Sequence, residues 1–256
     1  MDWSYTMDLQ KLYSYTRKAI AEYDMIQKND KIAIGVSGGK DSLTLVYALA
    51  GLKKFFPEPF DIMAISIDLG FGNQDFGKIS DMCHNLQVPL EIVPTQIAEI
   101  VFEARQESNP CSLCAKMRKG TLNAVAKEFG CTSIAYAHHK DDMIETMLLS
   151  LFFEGRFHSF LPVTHFDDTE LRVIRPMMYI PEREVVNFSR RMDLPVAKNP
   201  CPADGHTKRE YVKQLLAHLN KEIPGCKERL FHALIHSDLE GFRDRIVNPR
   251  INNKEN

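Results

Sequence analysis

A hexapeptide near the amino terminus has the composition of an anion-binding loop. It reads Ser-Gly-Gly-Lys-Asp-Ser, covers residues 37–42, and lies between a β-rich run and a helical pattern. Glycines let backbone amides approach an anion, and a helix N-terminus adds unpaired N–H donors. A carboxylate beside a phosphate needs a metal ion between them, and Mg²⁺ suits that role. The segment therefore predicts phosphate binding by Ser37, Gly38, Gly39, Lys40, Asp41 and Ser42, whereas a tight turn without a ligand is the structural alternative.

Three cysteines form a second candidate site. Cys111 and Cys114 make a C-x-x-C pair at a helix start, where the helix dipole favours thiolates, and Cys201 lies in an Asn-Pro-Cys-Pro loop. A redox pair would leave Cys201 without a role, while a zinc site could recruit His206 as its fourth ligand. A [4Fe–4S] cluster held by three cysteines leaves one iron open to carry sulfide. The spacing by itself does not separate zinc from iron.

Strands and helices alternate along the first 155 residues. Apolar runs at 31–36, 60–67, 90–93 and 132–137 predict strands, and helical stripes follow each of them. Strands separated by helices indicate βαβ units, so we predict an α/β fold with an open parallel sheet and helices on both faces. Residues 159–166 and 171–174 could form a hairpin or two late strands. Cys83 lies on an apolar helix stripe and Cys131 starts a buried strand, which predicts core packing for both.

The hexapeptide resembles the S-G-G-x-D-S signature of the PP-loop ATP pyrophosphatases, which cleave ATP between its α- and β-phosphates. The segment His138 to Thr146 is similar to that family's H-H-x-D-D-x-x-E-T stretch, although acids at a helix N-terminus are common in any protein. A strand-end histidine followed by two aspartates can serve phosphates and Mg²⁺. The resemblance implies a Rossmann-like sheet and ATP contacts from Asp68, His138 and Asp142.

A longer resemblance covers residues 32–216. The order of the C-x-x-C pair, a basic helix, the His-His-Lys-Asp-Asp stretch, Ile-Arg-Pro and a Pro-Cys is similar to the tRNA 2-thiocytidine biosynthesis sulfurtransferases. In that family, cysteines matching Cys111, Cys114 and Cys201 hold a [4Fe–4S] cluster. Many members carry a second C-x-x-C, where this chain has Asp204 in place of the last cysteine.

The resemblance implies a mechanism and partners. A cytidine O2 in the anticodon loop would attack the α-phosphorus of Mg·ATP, and sulfur would then replace the adenylylated oxygen. Asp41 and Asp142 are candidates for binding Mg²⁺ or handling protons, and Arg118 for charge near the cluster. We expect tRNA and a sulfur donor, such as a cysteine desulfurase, as partners, with a homodimer possible. A segment from Arg183 to Lys213 holds seven basic against four acidic residues and could follow the RNA backbone.

Three parts of the chain are expected. Residues 1–28 form a helical segment packed on the domain or on a second copy, 29–180 form the PP-loop ATP-binding domain, and 181–256 form a mainly helical region contributing Cys201. The net charge of −2 gives no overall basic field. The apolar runs are too short for a bilayer, and no secretory signal is present, so we expect a cytoplasmic protein without membrane contact.

Three alternatives remain open at this point. The same chemistry could thiolate a different tRNA base. A PP-loop ligase could insert nitrogen instead, although such an enzyme needs no cysteine triad. The third alternative is a nucleotide-binding regulatory module with a structural zinc site. Such a module would need no acidic second motif, so the motif beginning at His138 argues against it.

Overall fold

The computed structural model describes residues 3–72, 75–104, 110–166, 169–197 and 208–236. The strands are β1 (Lys31–Gly35), β2 (Asp61–Asp68), β3 (Leu90–Pro94), β4 (Ser133–Ala135), β5 (Val163–Phe166) and β6 (Thr169–Ile174). The helices are α1 (Trp3–Glu22), α2 (Lys40–Leu52), α3 (Gly77–Asn85), α4 (Ile97–Glu99, continuing as a π-helix over Ile100–Ala104), α5 (Pro110–Glu128), α6 (Lys140–Glu154), α7 (Glu182–Arg191), α8 (Lys208–Glu222) and α9 (Cys226–His236). None of these helices is long and apolar enough to cross a membrane.

The six strands form one sheet in the order β3-β2-β1-β4-β6-β5. The first five strands in that order pair in parallel, which confirms the predicted open α/β sheet. β5 pairs with β6 in the antiparallel direction, so the two late segments form an edge hairpin. The chain leaves β1 toward β2 and β3 on one side, whereas β4 and β6 lie on the other. This reversal opens a crevice at the carboxyl ends of β1 and β4, where parallel sheets bind ligands.

Helices cover both faces of the sheet, because side chains alternate along each strand. On β1, Ile32 and Ile34 enter the larger apolar core, which includes residues of α1, α2, α6 and α7. Ala33 points to the opposite face, where Leu122 and Ala126 of α5 complete a smaller core. The helix that carries the C-x-x-C pair, α5, therefore packs into this smaller core through Leu122 and Ala126.

The predictions for α1 and for two cysteines are confirmed. α1 packs on the domain through residues such as Leu12 and Ile20, which are buried in the larger core. Cys83 and Cys131 are both buried. Burial raises the pKa of the Cys83 thiol to about 11 and also raises that of Cys131, so neither is poised as a thiolate.

Candidate nucleotide-binding cleft

A cleft of about 400 Å³ opens at the crevice between β1 and β4. Its walls come from the loop after β1, the carboxyl end of β2, the middle of α5 and the start of α6. The volume lies in the range of small-molecule sites. The predicted ligand residues on its surface are Ser37, Asp41, Ser42, Arg118, His138 and Asp142.

The loop after β1 is shaped for an anion. Gly38 has a φ of +80°, a left-handed conformation that favours glycine. The Ser42 hydroxyl donates to the Gly39 carbonyl at 2.9 Å and accepts from the Ser37 backbone N–H at 3.2 Å, which ties the loop to the first turn of α2. Gly39 is the N-cap of α2 and has no side chain to accept from the first-turn amides. The loop therefore directs helix N–H groups toward the cleft end of β1.

Lys40 is held by two carboxylates. Its Nζ lies 3.0 Å from Asp41 Oδ1 and 3.2 Å from Glu182 Oε1, and Glu182 also binds Lys213 Nζ at 2.7 Å. Partial burial alone would lower the pKa of Lys40, but Asp41 and Glu182 outweigh it and raise the pKa. Lys40 is therefore a cation whose charge is already balanced. Glu182 was not found by sequence reasoning, because its contact with Lys40 joins distant parts of the chain.

The two aspartates of the second motif have different surroundings. The Asp142 carboxylate accepts from the His139 backbone N–H at 2.9 Å, and His139 Nδ1 accepts from the Asp142 N–H at 3.3 Å, which forms a capping box. His139 Nε2 lies 3.7 Å from Asp41 Oδ1, so Asp41 and Asp142 flank one imidazole beside the cleft.

Asp141 turns away from the cleft, and the expectation that both aspartates serve the phosphates is corrected for this residue. Its buried carboxylate accepts from the Glu182 backbone N–H and from Lys227 Nζ, each at 2.7 Å. Burial would raise the pKa of Asp141, but these two bonds outweigh it and lower the pKa. Asp141 therefore joins the starts of α6, α7 and α9.

His138 lines the cleft as a neutral imidazole. Burial, followed by the charges of Arg175, Arg209 and His139, lowers the pKa of His138 to about 3. Its ring stacks on Phe160 with centroids 4.0 Å apart. Because the ring is uncharged at physiological pH, it can contact a nucleotide as a hydrogen-bonding group and not as a cation.

Asp68 is placed at the end of β2, as predicted, but its carboxylate accepts the Gly70 N–H at 2.9 Å. It does not appear on the cleft surface, where the same strand presents Ile65 and Ile67. These two side chains suit an apolar ring such as a nucleobase. A contact between Asp68 and the nucleoside remains a prediction.

The cysteine site lies partly outside the described residues. Cys111 is exposed and Cys114 half-buried, both near the start of α5, and neither forms a disulfide. Cys201 and His206 fall in the segment 198–207, outside the described residues. Within the ranges described above, no group of three His, Cys, Asp or Glu side chains has the geometry of a metal site. The cluster and zinc ligand sets therefore both remain predictions.

Part of the basic segment is engaged in ion pairs behind the cleft. Arg209 donates to Glu145 Oε2 at 3.2 Å and to Thr146 Oγ1 at 2.9 Å, and it lies 3.8 Å from Asp142 Oδ1. Lys213 pairs with Glu182, which also contacts Lys40. These contacts hold α8 against α6 and the start of α7, so Arg209 and Lys213 are already paired with carboxylates of the domain.

A phosphate loop between β1 and α2, at the point where the strand order reverses, faces an acidic helix start and defines an ATP-using enzyme of the PP-loop type. A family model described as a PP-loop domain matches residues 8–219. The tRNA-cytidine(32) 2-sulfurtransferase of Citrifermentans bemidjiense is 37% identical over 220 residues, covering 85% of this chain and 86% of that protein. The enzyme of the same name from Geobacter sulfurreducens is 36% identical over 228 residues, covering 88% and 89%.

A solved structure supports the same assignment. The U34-tRNA thiolase NcsA from Methanococcus maripaludis, solved with its [4Fe–4S] cluster, superposes with a TM-score of 0.74 at 25% identity, covering 90% of this chain and 78% of that one. The chain belongs to the PP-loop family that includes the tRNA-cytidine(32) 2-sulfurtransferases.

Proposed function

We propose that this enzyme uses ATP to replace the O2 of a cytidine in the tRNA anticodon loop with sulfur. The observation that carries the proposal is the position of α5. This helix begins with Cys111 and Cys114, and one turn later it presents Arg118 and Lys119 to the cleft that holds the phosphate loop. In this proposal, one helix would serve both the sulfur-handling site and the ATP site.

The nucleotide half of the reaction uses the cleft residues. The loop amides and Lys40 would hold the departing pyrophosphate, and Asp41 and Asp142 would bind Mg²⁺ beside it. Lys40 would exchange its contact with Glu182 for a phosphate oxygen when ATP binds. The cytidine O2 attacks the α-phosphorus, and the bond to the β-phosphate oxygen breaks.

Adenylation explains why ATP is needed. A carbonyl-type oxygen is a poor leaving group, whereas the adenylylated oxygen departs as part of AMP. A sulfur nucleophile adds at C2, and AMP leaves as the C–S bond forms. Arg118 and Lys119 supply positive charge on the wall between the cysteine pair and the phosphate loop, where they would stabilise the departing AMP.

The described cysteines fit an iron–sulfur cluster in part. Two thiol groups three residues apart near a helix start can face one metal group, and the dipole favours their thiolates. We propose that Cys201 is the third ligand. When bound, a [4Fe–4S] cluster with three cysteine ligands would supply an iron position able to hold sulfur.

Cytidine is favoured over uridine by the relatives. Two enzymes named for cytidine 32 are 36–37% identical, whereas the thiolase named for uridine 34 is 25% identical.

We also propose that residues 29–180 bind ATP, that 181–256 contribute Cys201, and that a cysteine desulfurase supplies the sulfur. α1 (Trp3–Glu22) packs on this domain, and a homodimer remains to be tested.

The product assay tests the function directly. Nucleosides from tRNA of cells lacking this protein should contain no 2-thiocytidine by mass spectrometry, and the wild-type gene should restore it. An Asp41→Ala gene should not restore it, because the phosphate site loses a metal ligand. Loss of a thiolated uridine with 2-thiocytidine intact would show that the base is wrong. No change in any thionucleoside would refute sulfur transfer to tRNA.

The metal content has its own test. Protein purified without oxygen should be brown and contain about four irons per chain. Ser at Cys111, Cys114 or Cys201 should abolish the colour. Cys226→Ser is a matched control, because Cys226 is also half-buried at a helix start. A colourless protein with one zinc per chain would favour the Cys₃His site instead.

The RNA contact should be tested at Lys208 and not at Arg209. Lys208 is exposed and lies with its Nζ 4.7 Å from the Phe153 ring, whereas Arg209 pairs with Glu145 beside the ATP site. Lys208→Glu should weaken tRNA binding and its salt dependence, while iron content and the binding of an ATP analogue without tRNA stay unchanged. Unaltered tRNA affinity would remove Lys208 from the interface.

A further inference from the structure

A buried arginine lies directly behind the cleft. Arg175 follows β6 and is 8% exposed. Its Nε donates to His138 Nδ1 at 3.2 Å, and its Nη1 donates to the Leu161 carbonyl and to Thr164 Oγ1. The guanidinium lies 5.1 Å from the centroid of the Phe160 ring. These three hydrogen-bond acceptors are neutral, which is an unusual set of partners for a buried cation.

The contact with His138 decides which ring nitrogen carries the proton. Guanidinium groups only donate, so the Nδ1 that accepts from Arg175 must be unprotonated. A neutral imidazole then carries its proton on Nε2, at the opposite edge of the ring. Stacking on Phe160 at an interplanar angle of 17° holds the ring plane. Arg175 and Phe160 together fix both the tautomer and the orientation of His138.

We propose that Arg175 is a positioning residue that keeps His138 in the Nε2–H tautomer, so that the imidazole donates a hydrogen bond to a phosphate oxygen of the nucleotide. His138 lines the cleft with Ser37 and Asp142, and its Nδ1 edge is turned back toward Arg175. The Nε2–H edge is then the one available to a ligand. This proposal rests on ATP cleavage in the same cleft.

A neutral donor has a chemical advantage at this position. Asp41 and Asp142 line the same cleft and would bind Mg²⁺ there, and a charged imidazolium would compete with the metal ion for them. The low pKa of His138 is consistent with this, since burial and the nearby charges of Arg175, Arg209 and His139 all disfavour the protonated ring. The residue therefore stabilises charge on the phosphate without transferring a proton.

Arg175 also ties the β5–β6 hairpin to the sheet, so the test must separate positioning from a structural role alone. Long-range ¹H–¹⁵N spectra of histidine-labelled protein report the tautomer directly. At pH 7 the His138 signal, assigned by its absence in His138→Gln, should show a protonated Nε2 and an unprotonated Nδ1. Addition of α,β-methylene ATP should shift the Nε2 resonance. A protonated Nδ1, or no response to the nucleotide, would overturn the proposal.

Variants provide the second measurement. Arg175→Met should give a mixture of tautomers, whereas Thr164→Val removes a hairpin contact of Arg175 and should leave the Nε2–H tautomer in place. Unchanged spectra in a folded Arg175→Met protein would refute the positioning role. Arg175→Lys keeps a cationic donor and should restore part of the wild-type signal.

Kinetic measurements on two His138 variants distinguish a hydrogen-bond donor near Nε2 from one near Nδ1. In His138→Gln the side-chain amide can donate from a position close to Nε2, and in His138→Asn from a position close to Nδ1. Pyrophosphate release should fall within about tenfold for Gln and by about 100-fold for Asn, the scale of losing one oriented donor. Equal losses would count against the proposal. Wild-type protein that binds nucleotide with the expected tautomer but releases no pyrophosphate would refute the proposed function and not the tautomer.

Discussion

Replacing Asp141 with Asn should destabilise the protein but largely spare ATP cleavage. The same change at Asp142 should impair ATP cleavage and leave the stability nearly unchanged. The two residues are neighbours in one motif and differ by which way their carboxylates face. Asp141 is 5% exposed and binds the Glu182 N–H and Lys227 Nζ. Asp142 lines the cleft.

The magnitude follows from the partners of Asp141. Removing one member of a buried ion pair typically costs about 3–5 kcal/mol, because the other charge is left uncompensated. Asn still accepts from the Glu182 N–H, and the Lys227 side chain is 28% exposed and can reach water. We therefore expect a loss of about 2 kcal/mol, which in a chain of this size lowers the Tm by about 4–8 °C.

Thermal denaturation and pyrophosphate release on the same samples test this pair. Asp141→Asn should melt lower and keep its rate within about threefold of wild type when assayed well below the Tm. Asp142→Asn should keep its Tm within about 2 °C, because Asn still accepts from the His139 N–H, and lose about 100-fold in rate. A stable Asp141→Asn protein that has lost pyrophosphate release would refute the separation of roles.

The pH dependence gives a further check on Asp141. Its pKa is lowered in the folded state, so its ionised form stabilises the fold above the unfolded pKa of about 4 and that contribution is lost as the pH falls through the folded pKa. The difference in Tm between wild type and Asp141→Asn should be constant near neutrality and shrink below about pH 4. A difference that grows in acid would contradict this account.

Two other predictions concern packing and thiol reactivity. A Cβ added at Gly51 would lie 2.0 Å from the Tyr13 hydroxyl, so Gly51→Ala should displace Tyr13 of α1. We expect this to lower the free energy of unfolding, measured in urea, by about 1–3 kcal/mol. An unchanged urea midpoint would show that α1 adjusts to the added methyl group without cost. In metal-free protein at pH 7.5, iodoacetamide should modify the exposed Cys111 much faster than Cys83, because burial raises the pKa of Cys83 to about 11. Mass spectrometry of samples quenched at successive times measures both rates. Equal rates would contradict the burial of Cys83.

Much of the fold is predictable because its signals are local. The alternation of β-rich runs and helical stripes identifies the parallel strands, and Ser-Gly-Gly-Lys-Asp-Ser marks the turn between β1 and α2. β4 is shorter than its apolar run, because pairing with β1 and β6 spans only Ser133–Ala135. The sequence leaves open whether β5 runs parallel or antiparallel to its neighbour, because an apolar run does not indicate strand direction. The structure shows that β5 pairs with β6 in the antiparallel direction.

The candidate site likewise has features that the sequence predicts and contacts that only the structure shows. Residue types and order alone indicate phosphate binding at Ser37 to Ser42 and a second acidic motif from His138. The sequence does not show that Glu182 binds Lys40, that Arg175 lies behind His138, or that Asp141 faces away from Asp142. Each of these contacts joins elements that meet only when α7, α8 and the β5–β6 hairpin pack against α6. An ion pair or a buried hydrogen bond depends on distances of about 3 Å between side chains remote in sequence, and these distances are set by tertiary packing.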